Sequence, residues 1–449
     1  MGLTGIDIFK KLPKKNCGEC GIPTCLAFAM ALAGGKTELS KCPYVSDEVK
    51  ESLSEASAPP VRVVTVGAGD SAKKLGGETV EFRHEKTFVS QPAIAVLVTT
   101  AMDDATVEAK VKKIDELAYE RIGLILKADM VCIRDVDGDA GKFEALVKKV
   151  AGLGNWPLML MSDKADVAAA GAKAVADKKP LVHGATKATI EEFKALALEL
   201  KCPVGVRASS MDEIIELTKV LTDAGVKEIV VDSAAPNFKK ALEDQVVLRR
   251  AAVKNKERGL GWPAVAFPCD LTGDVLMEAL YGEAFVAKYA GIIVLSELTG
   301  ETLFPMLLGR LNIYTDPQRP MAQQEGIYPI GQVTENSPVL ITSNFSLTYF
   351  IVAGEIEASR VGCYLLVLNT DGLSVLTAWA AGKFAADAIA PFVKKSGIEE
   401  KVKHRKIVIP GYAAQISGEL EEELSGWEIQ IGPREAAHIA AYLKQWTPD

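Results

Sequence analysis

From Pro92 onward the chain alternates short apolar runs with stretches whose apolar residues recur every three or four positions. The runs are AIAVLVT (93–99), MVCIRD (130–135), LMLMS (158–162), PLVHGA (180–185), PVGVRA (203–208), EIVVDS (228–233), AVAFP (264–268) and GIIVLS (291–296). Each is apolar at adjacent positions, as strands of a parallel sheet are when both faces are covered. Between them lie helical patterns such as TIEEFKALALELK and SMDEIIELTKVLTDAG, the latter with Ser210 placed to cap its start and Gly225 to stop it. Eight β/α units in about 225 residues is the repeat count and length of a TIM (β/α)8 barrel. A doubly wound sheet is the alternative, but no Gly-rich phosphate turn speaks for it.

A second, smaller pattern follows YTDPQRPMAQQEGIYPIG (314–331), whose Pro, Gln and Gly content marks a boundary. Strands are expected at PVLITS, CYLLVLN, KIVIPG and WEIQIG, with helices at LTYFIVAGEIEAS, through Val393, at AAQISGELEEEL and at PREAAHIAAYLKQW. This reads as a doubly wound, Rossmann-like sheet, whose ligand would sit at the carboxyl ends of its strands. Those ends are TSNFS (342–346), NTDGLS (369–374), IPGY (409–412) and IGPR (431–434). In NTDGLS, Thr370 and Asp371 can cap the next helix and Gly372 lets backbone approach a flat ligand. Pro433 suits a first helical position, with free N–H groups just beyond it. Ordinary β-to-α turns would look similar. No G-x-G-x-x-G is present, which argues against a dinucleotide.

Ahead of both patterns stands KKLPKKNCGECGIPTCLAFAMALAGG (10–35), followed by SKCPY. Cys17, Cys20, Cys25 and Cys42 are spaced C-x2-C-x4-C-x16-C, with Pro43 after the last. Gly18 and Gly21 allow a tight curl between thiols, and Cys25 opens a helix CLAFAMALA closed by Gly34-Gly35, where the helix dipole favours a thiolate. Structural zinc sites are usually built from paired C-x2-C knuckles, whereas iron–sulfur clusters accept uneven spacings, often with a proline after the last ligand. A [4Fe–4S] cluster is therefore the expectation, with structural zinc the alternative. SEASAPPVR (54–62) reads as a linker. The expected organisation is 1–57 cluster domain, 58–91 linker and pre-barrel hairpin (VEFRHEKTF), 92–318 barrel and 319–449 C-terminal α/β domain.

Bulk properties narrow the function. The 449 residues exceed what one core usually serves. The formal net charge of −8 argues against nucleic acid or an anionic membrane as main partner. No uncharged apolar run approaches the ~18 residues of a membrane span, and MGLTGIDIFKKLPKKN lacks an apolar signal core, so a cytoplasmic location is expected. The remaining cysteines, Cys132, Cys202, Cys269 and Cys363, stand alone in apolar contexts and read as buried small hydrophobes. The barrel's strand ends offer Asp135, Ser162, Asp163, His183, Arg207, Asp232, Asp270 and Glu297, a ring that also fits plain caps and loop solvation. His84, His404 and His438 read as solvated and His183 as a satisfied core histidine. None has Asp two positions before it.

The segments LPKKNCGECGIPTCLAFAMALA…CPYVSD, NSPVLITSNFSLTYF, NTDGLSVLTAW and GPREA resemble, in the same three-part order and over the whole chain, the large subunit of the corrinoid/iron–sulfur protein of the acetyl-CoA (Wood–Ljungdahl) pathway. The resemblance implies a [4Fe–4S] cluster on Cys17, Cys20, Cys25 and Cys42, and a corrinoid of the vitamin B12 type on the C-terminal domain. It implies a methyl carrier in methyltetrahydrofolate:corrinoid/iron–sulfur protein methyltransferase chemistry. The methyl group comes from methyltetrahydrofolate or a related pterin through a methyltransferase and passes to acetyl-CoA synthase/CO dehydrogenase. A smaller TIM-barrel subunit completes a heterodimer. Many B12 domains supply a histidine beneath cobalt through D-x-H-x-x-G. Its absence here fits a base-off corrinoid with no protein His ligand, in which cobalt reaches Co(I) more easily and the cluster reactivates Co(II). Thr370, Asp371, Gly372, Leu373 and Ser374 are expected on the corrin's lower side, Leu340, Thr342, Asn344 and Ser346 on its tail or amides, and Pro433 on the opposite rim. Two rivals are a barrel that binds a pterin and transfers methyl within this chain, with Asp135, Asp232 and Asp270 in reserve, and a corrinoid-free electron carrier.

Overall fold

Helices Gly5–Lys11 and Cys25–Ala33 share a small core in which Ile8, Leu12, Phe28, Ala29 and Val45 pack with Cys25 and Cys42. The computed structural model describes residues 5–33, 37, 39–46, 49, 58–121, 123–318 and 321–448. Gly34-Gly35 and residues 54–57 of the linker SEASAPPVR lie outside the described residues. An antiparallel hairpin, β1 (Val64–Val66) with β2 (Lys73–Leu75), precedes the barrel. It stands earlier in the chain than VEFRHEKTF, the segment expected to form it. The reason lies in buried charge: Glu78 Oε1 accepts the N–H groups of Val89 and Ser90 at 2.9 and 3.1 Å, and Glu81 meets Arg250 at 3.1 Å. The two N–H groups that follow the segment are thus held by a side chain rather than by a ladder, and the carboxylate inside it is turned toward Arg250.

The apolar runs become the eight staves of a closed parallel barrel: β3 (Ala93–Thr99), β6 (Met130–Arg134), β7 (Leu158–Met161), β8 (Leu181–Ala185), β9 (Val204–Arg207), β10 (Ile229–Asp232), β11 (Ala264–Ala266) and β12 (Ala290–Leu295). Between β3 and β6 the chain forms a small antiparallel hairpin, β4 (Tyr119–Arg121) with β5 (Leu124–Leu126). Interleaved helices are capped as the sequence suggests, Ser210 Oγ accepting from Glu213 N at 3.2 Å.

Asp129, half-buried just before β6, is the charge that ties the barrel floor. It pairs with Arg310, meets Lys73 Nζ at 2.6 Å and accepts Ile94 N at 2.9 Å. Burial pushes its carboxyl pKa up, but Arg310 and Lys73 together outweigh that and hold it below the usual carboxylate value. A depressed folded-state pKa contributes stability that is complete above the unfolded value, near 3.9, and is lost as pH falls through the lower folded one. Arg310→Met removes the main partner of this half-buried carboxylate and leaves it Lys73 and the Ile94 N–H. It should cost about 3–5 kcal/mol in urea melts at pH 7, and less at a pH where Asp129 is protonated.

The C-terminal sheet has strands β13 (Gly326–Ile330), β14 (Val339–Ser343), β15 (Cys363–Leu368), β16 (Lys406–Ile409) and β17 (Glu428–Ile431), in the order β13-β15-β14-β16-β17. β14 to β17 run parallel, and β13 is an antiparallel edge. That edge lies inside the stretch read as a boundary. Pro329 is tolerated there because an edge strand can leave one side of its ladder unpaired. Alternating residues face two cores: Val339, Ile341, Leu366 and Ile407 pack with helix Ala386–Ser396, and Leu340, Leu365, Val367 and Val408 with helices Ser346–Ser359 and Ile439–Gln445. The sheet is thus covered on both faces, and its parallel strands follow the 2-1-3-4 order of the flavodoxin type. Two expected helices start late or break. A 3-10 turn, Gly411–Ile416, precedes helix Ser417–Glu423, and another, Ala436–His438, precedes the last helix, so Pro433 sits in a loop rather than at a helix start.

By chain segment, one compact unit comprises residues 1–81, 88–117 and 128–310, and the other 82–87, 118–127 and 311–449. Among the described residues no helix is long and apolar enough to cross a membrane.

Candidate functional site

In a 2-1-3-4 sheet the chain leaves β14 in one direction and later returns on its other side at β16. A crevice therefore opens between their carboxyl ends, where such folds bind ligands. A cavity of about 260 Å³ lies there, lined by Leu340, Ile341 and Thr342 of β14, by Val408, Ile409 and Pro410 around the end of β16, and by Ser374, Gly432 and Pro433 from neighbouring turns. Thr348 and Val352, one turn apart on helix Ser346–Ser359, complete the wall with Leu376, Tyr412 and Arg434. Thr342 is buried, yet its Oγ1 has no hydrogen-bond partner. Leu376 and Tyr412 are half exposed. An apolar slot of this volume with an orphaned hydroxyl on its wall suits the apolar end of a ligand that brings one hydrogen-bonding group to it. Gly432 sets the width: a Cβ there would stand 2.8 Å from Val408 Cγ1. Tyr412 Oη donates to Glu435 Oε1 at 2.7 Å, a bond that raises the phenol's pKa.

The NTDGLS turn is built around one amide. Asn344 Oδ1 accepts the N–H groups of Thr370 and Gly372 and the Thr370 hydroxyl, each at 2.9 Å. Asn344 Nδ2 donates to Asn369 Oδ1 at 3.1 Å, which fixes the orientation of the amide. Asp371 and Gly372 have φ of +55° and +75°, so the chain reverses tightly and delivers Ser374 to the cavity. Asp371 itself is exposed and paired with Lys383.

Of the residues expected to hold a corrinoid, the structure places Leu340, Thr342, Ser374 and Pro433 on the cavity wall. Asn344, Thr370 and Gly372 form the latch behind the turn. Leu373 packs against the core on one sheet face, and Ser346 is buried at the start of its helix, its N–H donating to Met321 O at 3.1 Å. Thr348, Val352, Tyr412 and Arg434 were not read from the sequence. The IPGY and IGPR strand ends carried the signal for the last two, and the four-residue spacing of Thr348 and Val352 that for the helix.

At the N-terminus Cys25 and Cys42 are buried in one core, with Cys20 packed against it and Cys17 exposed. Thr24 Oγ1 accepts Ala27 N at 3.1 Å, capping the helix that Cys25 begins. Asn16 N–H donates to Cys25 Sγ at 3.3 Å, while Asn16 Oδ1 accepts Cys25 N at 2.8 Å. Gly18 and Gly21 take φ of +76° and +82°, and Gly21 N–H donates to Gly18 O at 2.9 Å, curling the chain between Cys17 and Cys25. Tyr44 closes the loop from the far side: its Oη donates to Glu19 Oε1 at 2.7 Å, and Lys15 Nζ lies 3.7 Å from its ring centroid. This pocket of cysteines, with an amide aimed at sulfur and a helix start beneath it, fits a thiolate-bound cluster. Among the described residues, no three or more His, Cys, Asp and Glu side chains are drawn up on a single metal ion.

The barrel's strand-end ring is mostly engaged in loop structure. Asp135 accepts Gly138 N at 2.8 Å and Ser162 Oγ at 2.9 Å, and Asp163 meets Arg207 at 3.3 Å. Asp270 takes both Nη groups of Arg134 at 2.7 Å, and Glu297 pairs with Lys113 at 2.6 Å. His183 is wholly buried, and neither ring nitrogen finds a hydrogen-bond partner, so it is a core histidine but not a satisfied one. His404 is not simply solvated: Nε2 bonds Ser337 O at 2.8 Å and Nδ1 accepts Lys406 N at 3.2 Å.

A family model described as CO dehydrogenase/acetyl-CoA synthase delta subunit matches residues 63–443, and an Fe–S cluster model matches residues 12–44. The corrinoid/iron–sulfur protein large subunit of Moorella thermoacetica is 45% identical over 444 residues, covering 99% of each chain. The acetyl-CoA decarbonylase/synthase complex subunit gamma of Methanopyrus kandleri is 34% identical over 455 residues, covering 99% of this chain and 98% of that one. A solved 7,8-dihydropteroate synthase of Vibrio fischeri ES114 aligns with TM-score 0.41 and 12% identity over 57% of this chain and 100% of that one.

Proposed function

Because this chain belongs to the corrinoid/iron–sulfur protein large-subunit family, we propose that it is a methyl carrier holding a corrinoid in the β14/β16 cavity and a [4Fe–4S] cluster on Cys17, Cys20, Cys25 and Cys42. When bound, the corrinoid supplies a cobalt that takes up and releases a methyl group, and the cluster supplies single electrons that restore cobalt after stray oxidation. The observation that carries the corrinoid assignment is the cavity itself, at the switch point, with Thr342 Oγ1 buried and unpartnered on its wall.

The chain's own residues have separable tasks. Leu340, Val408 and Pro433 exclude water from the slot, and Thr342 offers a hydrogen bond to a ring amide. The Asn344 latch holds the NTDGLS turn so that Ser374, rather than an imidazole, faces the ligand. No histidine lines the cavity among the described residues, which supports a base-off corrinoid without a protein donor. The Asn16 amide and the start of helix Cys25–Ala33 stabilise negative charge on the cluster thiolates. A smaller barrel subunit, a methyltetrahydrofolate methyltransferase and acetyl-CoA synthase/CO dehydrogenase are the proposed partners, and the cytoplasm the proposed location.

Anaerobically purified protein should contain about one cobalt and about four irons per chain, with the absorption of both groups. Iron without cobalt, after incubation with a cobalamin, would overturn the corrinoid assignment. Thr342→Val should weaken cobalamin retention about tenfold, the loss of one hydrogen bond to a buried group, and leave the melting temperature of the corrinoid-free chain unchanged or higher.

A further inference from the structure

At the opposite end of the barrel from its strand-end ring, beneath the start of β11, lies a cavity of about 670 Å³. Its wall comes from separate parts of the chain. The second half of helix Met211–Asp223 contributes Lys219 and Asp223, because a helix that follows its strand runs back to the barrel floor. The turn Arg258–Leu260 and Trp262, leading into β11, form a second side. The end of the linker forms a third: Arg62 N donates to Gly261 O at 2.9 Å, and a Cβ on Gly261 would stand 2.3 Å from Pro60 O. Lys11, from the helix ahead of the cluster cysteines, lines the same cavity.

The charge of this wall is one-sided. Among the described residues it carries four cations, Lys11, Arg62, Lys219 and Arg258, against two carboxylates, Asp223 and Glu257. Four less two leaves a surplus of two positive charges, in a chain whose formal net charge is −8. Glu257 is engaged in the turn, where its Oε1 accepts Gly259 N at 3.0 Å. Arg258 donates to the carbonyls of Ala58 and Pro59 at 3.3 and 3.4 Å, and neither it nor Lys219 makes an ion pair among the described residues. Trp262 is 3% exposed, and its Nε1 is buried with no hydrogen-bond partner. Such a donor is costly in a fold that gains nothing from it. The Arg62 guanidinium lies over this indole, its carbon 4.5 Å from the ring centroid.

We infer that the cavity binds a phosphate monoester of a small organic molecule. A phosphoryl group carries about −1.5 to −2 at pH 7, which matches the surplus on the wall. The cavity has the size of a small-molecule site rather than of a lone ion. Arg258 and Lys219 hold the phosphate oxygens, and Ile215 packs beside the organic part. An anion that draws Arg62 off the indole opens the Trp262 N–H edge, which then donates to the same ligand. The site is separate from the β14/β16 cavity and does not depend on what that cavity holds.

The test uses the full chain in phosphate-free buffer, with calorimetry and tryptophan fluorescence as readouts. Phenyl phosphate is the probe, phenyl sulfate its analogue of the same shape with one charge fewer, and inorganic phosphate the arm without an organic part. Phenyl phosphate should bind and change the fluorescence, and the other two should bind about tenfold more weakly. Trp262→Phe, which keeps a ring but removes the N–H, should abolish the fluorescence change and weaken binding about fivefold, the loss of one hydrogen bond. Its melting temperature should stay equal or rise, because an orphaned donor is gone, whereas a merely structural tryptophan would lower it. Lys219→Met should weaken phenyl phosphate about tenfold and leave the melting temperature unchanged. No binding of phenyl phosphate, phenyl sulfate binding as tightly, or binding untouched by both substitutions would overturn the assignment. Inorganic phosphate binding as tightly as phenyl phosphate would overturn the ester.

Discussion

Cys42→Ala protein is expected to lose its iron while keeping its cobalt. Cys42 is buried beside Ile8, Leu12 and Phe28, in the same small core that holds Cys25. With one thiolate missing, a four-iron cluster falls from about four irons per chain toward none, because each iron corner requires its own donor. Iron analysis and low-temperature electron paramagnetic resonance of the reduced protein read this out. Cys363→Ala is the matched control. Cys363 is buried in β15, where burial pushes its thiol pKa up to about 12, so it is an inert core residue and its loss should leave the iron in place. Retention of four irons in Cys42→Ala would remove Cys42 from the ligand set.

The Asn344→Ala chain should be less stable by about 2–4 kcal/mol and should retain little cobalamin. One carbonyl oxygen holds Thr370 N, Thr370 Oγ1 and Gly372 N, and each of these donors sits in a turn whose residues 371 and 372 carry positive φ. Removing the amide leaves buried backbone donors unpaired, at about 1–3 kcal/mol for each donor that finds no substitute. The turn then has no reason to keep its reversed backbone, and Ser374 is no longer presented to the cavity. Asn344→Asp, which keeps an acceptor oxygen but loses the Asn369 bond, should fall between wild type and alanine. Urea melts and cobalt content after reconstitution measure both effects. An alanine variant with wild-type stability and full cobalt would refute the latch.

The barrel was legible because its signal is redundant. Every stave follows an apolar run such as AIAVLVT and is buried except, at most, at its last residue, and the observed β3 spans that run. The pre-barrel hairpin was not, because nothing in VEFRHEKTF says that Glu78 will hold the Val89 and Ser90 amides. At the β14/β16 cavity the strand ends were readable, but the division of labour within them was not. Thr342 and Asn344 are two residues apart on the same strand exit, yet one faces the cavity with a free hydroxyl and the other turns back to hold a loop. That distinction depends on Thr370 and Gly372, which no local pattern around position 344 contains. Tyr412 and Arg434 come from separate turns and meet only once β16 and β17 are side by side.

The hairpin β4–β5 has a consequence for how the chain emerges during synthesis. Residues 118–127 belong to the same unit as 311–449, and Arg121 stacks on Phe350 with its guanidinium carbon 4.4 Å from the ring centroid. Until the ribosome has delivered helix Ser346–Ser359, Arg121 waits without the Phe350 ring that it stacks on, an unpaired state that chaperones exist to shield. Severing the gene between its two halves would strand that loop on the wrong fragment.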